Sequence, residues 1–553
     1  MIVAVSCGIH AFNLRTDLPT PEPDEPWFVL PAVQMATNGD PNPHWFGHPG
    51  STVIVPLAAA FRASDIVLHN GPVFGPAPLL ASRFRADPTP FYLLARIWSA
   101  AFGVGAVVLV FLLGRKVFGR WQGLAGAAVW ALVPIGIQWG RVARTDSVGL
   151  FFALLTLLLA VRALERPSTR RFALVGVALG LAVSSRYLMI ALVPAIMFAW
   201  ISSGEGRRPP VRSLFATFGA ALGAFAVMTP FFFLDPAAVR RSIAAETTGT
   251  VTNNGHSWSS NLVAYLVDIV PQALSWPAVI AALVGVVLAI RSRNRGAITL
   301  LFFGASLLAL ISTSPLQWPR WTIQMLPIVV LFAVDAVFTL SHKVSDRIEA
   351  HWRVLDRRVT AAAMAFGLLV VAIGPLQTTS RETWLRAQPT TRDLTQRWFR
   401  AQVPRGTPVA IELKSPDLRY VGYPVVDRWT LSDCLTLDGF LANGVNYFVI
   451  NDHVRRAYLK DRRRRPAEAA FYDSLSDRGL LLARFAPRGI RRGPTLLVYR
   501  VERTEPTTDE EVVPAPRMPC RCAINCRPRY PVGASLVSAR PDIGNWAPGL
   551  LRS

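Results

Sequence analysis

The chain is a ladder of apolar runs joined by short basic segments, and that pattern constrains its fold more than any other feature. Runs at 91–113, 121–137, 147–161, 172–183, 187–201, 214–234, 271–290, 297–311, 321–340 and 360–376 are each apolar enough to lie in a bilayer. A helix needs about 20 such residues to cross a hydrocarbon core roughly 30 Å thick. With an apolar piece at residues 1–14, the sequence predicts an all-α polytopic membrane domain of about eleven transmembrane helices. Only 17% of residues are charged, against about 25% in a soluble globular protein.

Sidedness follows from the loops. One set is basic: Arg115, Lys116 and Arg120; Arg166, Arg170 and Arg171; Arg207, Arg208 and Arg212; Arg291, Arg293 and Arg295; then residues 343–358. These loops alternate with longer ones that carry acids and aromatics, so the basic side is expected to be cytoplasmic. The formal net charge of +23 is accounted for largely by this distribution, which argues for a bilayer partner and against nucleic acid. Asp24, Asp146, Arg186, the 235–268 loop, Arg320 and everything after 376 are then expected to face outward.

The domain plan that results has five parts. Residues 1–14 read as a partial first transmembrane helix whose start is truncated, and 15–90 as a first outer loop with in-plane helices at 28–37 and 51–61. Residues 91–377 form the multi-pass domain. In 378–503 the texture changes to an amphipathic helix at 392–403, strand-like runs "TPVAIEL", "VNYFVIND", "LLLARFA" and "LLVYRV", and a helix near 467–478. That alternation predicts a small extracytoplasmic α/β domain. The segment 504–553 is rich in Pro and Arg and is expected to be disordered. Its "CRCAINC" offers three cysteines without a fourth ligand, so no metal site is assigned.

Ionisable groups beside the membrane are costly and point to function. Asp24 and Glu25 stand in "PEPDEPWF", Arg144 and Asp146 in "GRVARTDSVGLFF", Arg186 in "AVSSRYLM" and Arg320 in "SPLQWPRWTIQMLP". Each also has a structural explanation. An acid before Pro26 is an ordinary helix start, Asp146 can cap the next helix, and the arginines can snorkel to the interface. Together on one face they suit a lipid-phosphate donor. Arginine binds phosphate through two parallel hydrogen bonds and stays charged, and a carboxylate can take the proton from an attacking hydroxyl.

Several segments, in order, carry a family resemblance. "PDEPWFVLPAVQMATNGDPNPHWFGHPG", "RIWSAAFGVGAVVLVFLLGRKVFGRWQGLAGAAVWALVP", "ARTDSVGLFFALLTLLLAVRALE", "GLAVSSRYLMIALVP", "PRWTIQMLPIVVLFA", "GVNYFVIN", "FYDSLSDRG" and "GPTLLVYRV" resemble membrane glycosyltransferases of the C-type fold. The likeness is to the bacterial group related to protein O-mannosyltransferases and lipid A aminoarabinose transferases, and it covers roughly residues 15–501. It implies an inverting transfer from a polyprenyl-phosphate sugar to a protein, lipid or glycan acceptor, at the outer face of the plasma membrane. It also implies Asp24 as the catalytic base, with Glu25 beside it and Asp146 as the second acid. Arg186, Arg320, Arg144 and His256 are expected to bind substrate. No cofactor is required by the sequence, although a divalent metal is compatible with it. The alternative class, a transporter or lipid flippase, predicts internal repeats and helices broken at the midplane; no repeat relates the two halves.

Overall fold

The computed structural model describes residues 1–502 apart from Thr20, Pro23, His48, 204–208, 252–256, Pro315, 353–356, Trp429 and Ile490. The expected disorder and cysteine cluster of the tail, and His256, lie outside the described residues. The chain divides into two compact units. One comprises Met1–Leu14, Trp27–Leu80 and Phe91–Thr383; the other comprises Arg15–Pro26, Ala81–Pro90 and the chain from Trp384 onward.

The first unit is helical. Six described helices are long and apolar enough to cross a membrane, among them Thr89–Val117, Asp146–Glu165 and Arg295–Ser312; the number rises to eight if two bent pairs each make one span. Four of the expected eleven are shorter helices, Ile2–Ala11, Thr169–Ser185, Tyr187–Ile201 and Arg212–Met228, near or below the length that spans a bilayer, whereas Ser51–His69 was not among the eleven. The bends have local causes. Pro134 opens a new helix after Trp130, turned by 64°, because proline cannot donate into the preceding turn. Ser275, at φ 81°, separates Trp258–Leu274 from Trp276–Arg291 at 114°. The helix expected over 51–61 continues to His69 and is long enough to qualify as a span.

Helix packing here relies on small residues. Gly176 and Gly180, four apart on Thr169–Ser185, face the backbone of Arg212–Met228, where a Cβ on Gly176 would meet Thr217 O at 2.0 Å. Thr217 Oγ1 donates to Phe172 O at 3.1 Å across the same contact. Lipid supplies no hydrophobic force between helices, so close backbone approach and such hydrogen bonds hold them together.

The second unit contains a five-stranded sheet of order β2-β1-β3-β5-β4. Its strands are β1 (Val409–Glu412), β2 (Val425–Arg428), β3 (Tyr447–Asn451), β4 (Gly479–Phe485) and β5 (Leu496–Val501). β1 runs parallel to β2 and β3, whereas β5 is antiparallel to β3 and β4. Alternation sends Phe448 and Ile450 to one core with Phe440 and Tyr472, and Val449 to the other with Phe399 and Leu418. Helices cover both faces, which is why β1 is buried at every position. Four of the five strands match the sequence expectation; β2 was not expected. The helix Thr391–Gln402 opens with a Thr390/Asp393 capping box.

Candidate active site

The local fold of the helical unit gathers the basic residues. Arg144 sits in the turn before Asp146–Glu165, and its backbone is pinned to Ser99: Arg144 N donates to Ser99 Oγ at 3.2 Å, and Ser99 Oγ donates to Arg144 O at 3.1 Å. Arg186 ends Thr169–Ser185 in extended backbone before a short 3₁₀ turn. Gly149, one turn into its helix, lies against the Arg186 side chain; a Cβ there would stand 3.2 Å from Arg186 Cδ.

Asp146 is fully buried and uses both oxygens on arginines. Arg144 Nε donates to Asp146 Oδ2 at 3.0 Å, and Arg186 Nη1 donates to Oδ1. Gln324, with its amide nitrogen on Trp321 O at 3.1 Å, presents its oxygen to Arg186 Nη1 at 3.3 Å. Aromatic faces complete the cluster. Trp139 meets two guanidinium groups, with Arg144 and Arg320 each 5.3 Å from its ring centre. Arg320 also stands 4.3 Å from Trp318, and Arg144 5.7 Å from Phe28. Contacts of this kind attract by about 0.5–2 kcal/mol, more where water is excluded. Three of the predicted arginines and one predicted acid therefore meet in one place. Two partners were missed: Gln324 is an unremarkable polar residue within an apolar run, and Trp139 becomes visible only once the Pro134 bend is known.

Asp24 and Glu25 belong to the other unit, in the turn that precedes the helix Pro26–Asn38. Pro26 is its first residue, as expected of an acid–proline start. Glu25 is fully buried and its Oε2 accepts from Glu22 N at 2.8 Å, while Asp24 is half-buried. The segment is tied to the α/β domain through Asp17, whose carboxylate lies 3.8 Å from Arg392 Nη1; Arg392 Nε donates to Lys414 O at 2.8 Å.

A second polar cluster links two loops of the helical unit. His44 Nε2 contacts Asp40 Oδ2 at 2.7 Å, and Asn42 Nδ2 donates to Asp235 Oδ2 at 3.1 Å. Beneath it Phe46 packs on Phe231, Phe232, Ala238 and Val239, and Tyr187 Oη donates to Phe46 O at 3.0 Å. Burial pushes the Asp40 carboxyl up, but the Asn42 N–H and His44 outweigh it and hold it below the usual range. Asp235 is held low chiefly by the Ala238 N–H. Among the described residues no group of three His, Cys, Asp or Glu side chains is arranged to hold a metal.

With this geometry in place, comparison with known proteins identifies the fold. Residues 93–233 match the family model of dolichyl-phosphate-mannose-protein mannosyltransferases. Comparison with curated proteins gives no match. Among solved structures, ArnT from Cupriavidus metallidurans in the apo state is 12% identical, covers 90% of this chain and 97% of its own, and has a TM-score of 0.52. The same protein bound to undecaprenyl phosphate is 13% identical with the same coverage and a TM-score of 0.51. The chain is a multi-pass membrane protein with the C-type glycosyltransferase fold. The match to the mannosyltransferase family model is confined to residues 93–233, and the likeness to ArnT is one of fold.

Proposed function

We propose that this protein transfers a sugar from a polyprenyl-phosphate donor to an acceptor hydroxyl at the outer face of the plasma membrane, with inversion at the anomeric carbon. The observation that carries this reading is the cluster of buried Arg144 and Arg186 and half-buried Arg320 around buried Asp146. Guanidinium groups fixed by a carboxylate and by aromatic faces are pre-organised to receive a phosphate and to stabilise it as it leaves. Undecaprenyl phosphate bound to ArnT supports a donor of that class. Asp146 has both oxygens engaged, so we assign it the role of orienting the arginines.

Asp24 is then the general base, with buried Glu25 shaping its turn. Proton removal from the acceptor hydroxyl makes the oxygen a nucleophile; it attacks the anomeric carbon as the bond to the donor phosphate breaks, and the pair of electrons leaves with the phosphate. One displacement inverts the centre. The basic loops support an outward-facing site and an outer α/β domain. The test is transfer from a polyprenyl-phosphate sugar by Asp24→Asn in membranes. A drop of roughly 10²–10⁴-fold is expected for loss of a general base, with normal insertion; wild-type-like transfer would remove Asp24 from that role.

A further inference from the structure

Apart from the arginine cluster, the helical unit contains a cavity of about 290 Å³ between the helices Pro26–Asn38 and Ser51–His69 and the loop that follows them. Its walls are apolar: Met35, Ala36, Val55, Ala58 and Ala59, closed on the loop side by Val73 and Phe74. One charged side chain lines it. Arg62 donates from Nη1 to Ala36 O at 3.0 Å and from Nη2 to Gly75 O. Those bonds occupy two of the five N–H groups a guanidinium carries. Among the described residues no carboxylate pairs with Arg62; Asp65, three residues on, has its carboxyl against Gly71 instead. The rim of the same segment is exposed hydrocarbon, with Phe74 89% and Val67 76% exposed and Leu68 and Val73 beside them. An apolar patch of this kind on a membrane protein belongs in lipid.

An apolar slot opening among lipid-facing side chains, with a cation at its wall, has the chemistry of a site for one chain of an anionic lipid. We propose that this cavity binds an acyl chain of an anionic phospholipid of the surrounding bilayer, with the headgroup phosphate on the free edge of Arg62. It is separate from the arginine cluster: Phe28, which touches Arg144, and Met35, which lines the cavity, are seven residues apart on one helix, about 10 Å along its axis. Occupancy would hold the turn after His69 against the helix Pro26–Asn38, and so steady the start of the first outer loop. The proposal does not rest on the sugar-transfer reading, because its test measures lipid binding alone.

The experiment is photocrosslinking of the full chain in bilayers, using phosphatidylglycerol with a diazirine in one acyl chain. Adducts are expected on residues 55–62 or 73–75, competed by unlabelled phosphatidylglycerol but not by phosphatidylcholine. Arg62→Gln should lower the yield roughly tenfold, the effect of losing one charge-assisted hydrogen bond. Ala59→Phe, which fills the slot and leaves the guanidinium in place, should lower it too. Equal competition by phosphatidylcholine, competition by undecaprenyl phosphate alone, or unchanged crosslinking in both variants would overturn the proposal and leave Arg62 as a staple between Ala36 and Gly75.

Discussion

At the scale of single residues, the two candidate acids differ in what surrounds them, and that difference predicts different phenotypes. Asp146 is the buried counter-charge of Arg144 and Arg186. Asp146→Asn would leave those guanidinium groups desolvated without their anion, a loss of about 3–5 kcal/mol for a buried pair broken on one side. The expected outcome is reduced folded protein in detergent melts as well as lost activity. Asp24→Asn should instead melt like the wild type while failing to transfer sugar. If both variants melted normally, Asp146 would not be the keystone of the arginine cluster. Gln324→Leu should act more gently. It removes the acceptor facing Arg186 and leaves Trp321 O without that donor, so the apparent KM for donor is expected to rise more than kcat falls.

Elements explain which parts of this were readable in advance. Long apolar runs such as Thr89–Val117 and Asp146–Glu165 were legible because a span is a local property of composition. Breaks were less legible, since the 64° turn at Pro134 and the 114° turn at Ser275 depend on backbone geometry. β2 is four residues long and half-buried at its end, too short for a periodicity to show. The Asn42–Asp235 clasp joins loops distant in sequence, which no local pattern reports, and Asp40–His44 braces one of them. Its pH dependence follows from the carboxyls. Both are held below the ordinary value of about 3.9. Their hydrogen bonds therefore stay complete above that value and are lost only as pH falls through the lowered folded value. Hydrogen exchange, corrected for intrinsic rate, should show the Asn42 and Ala238 amides protected at pH 5 and released in stronger acid. Asp40→Ala and Asp235→Ala, which remove the acceptor oxygen, should each release the corresponding amide at pH 5, and retained protection in both would argue that these side chains do not hold those turns.

At the scale of the whole molecule, the division of the chain departs from the domain plan read from sequence. The stretch 15–90, read as one loop, is not one piece: 15–26 and 81–90 belong with the α/β unit, and 27–80 with the helices. A chain ending at Thr383 would keep every described helix of the membrane unit, yet leave those two segments without the domain they pack in. Such a truncation is expected to insert normally and to have no transferase activity, and Arg392→Ala should weaken activity in the same direction by loosening Asp17. Full activity of the truncated chain would show that the α/β domain is dispensable to the acid-bearing segment.

The ion pair between Asp17 and Arg392 also orders events in time. Asp17 precedes the helices from Thr89 to Arg386 in the chain, whereas Arg392 emerges only after them. Contacts so distant in sequence close late, because the intervening chain must be arranged first. The segment that carries Asp24 therefore has to wait through most of synthesis for its anchor. Until Arg392 is made, the acid turn lacks the partner that Asp17 finds in the α/β domain.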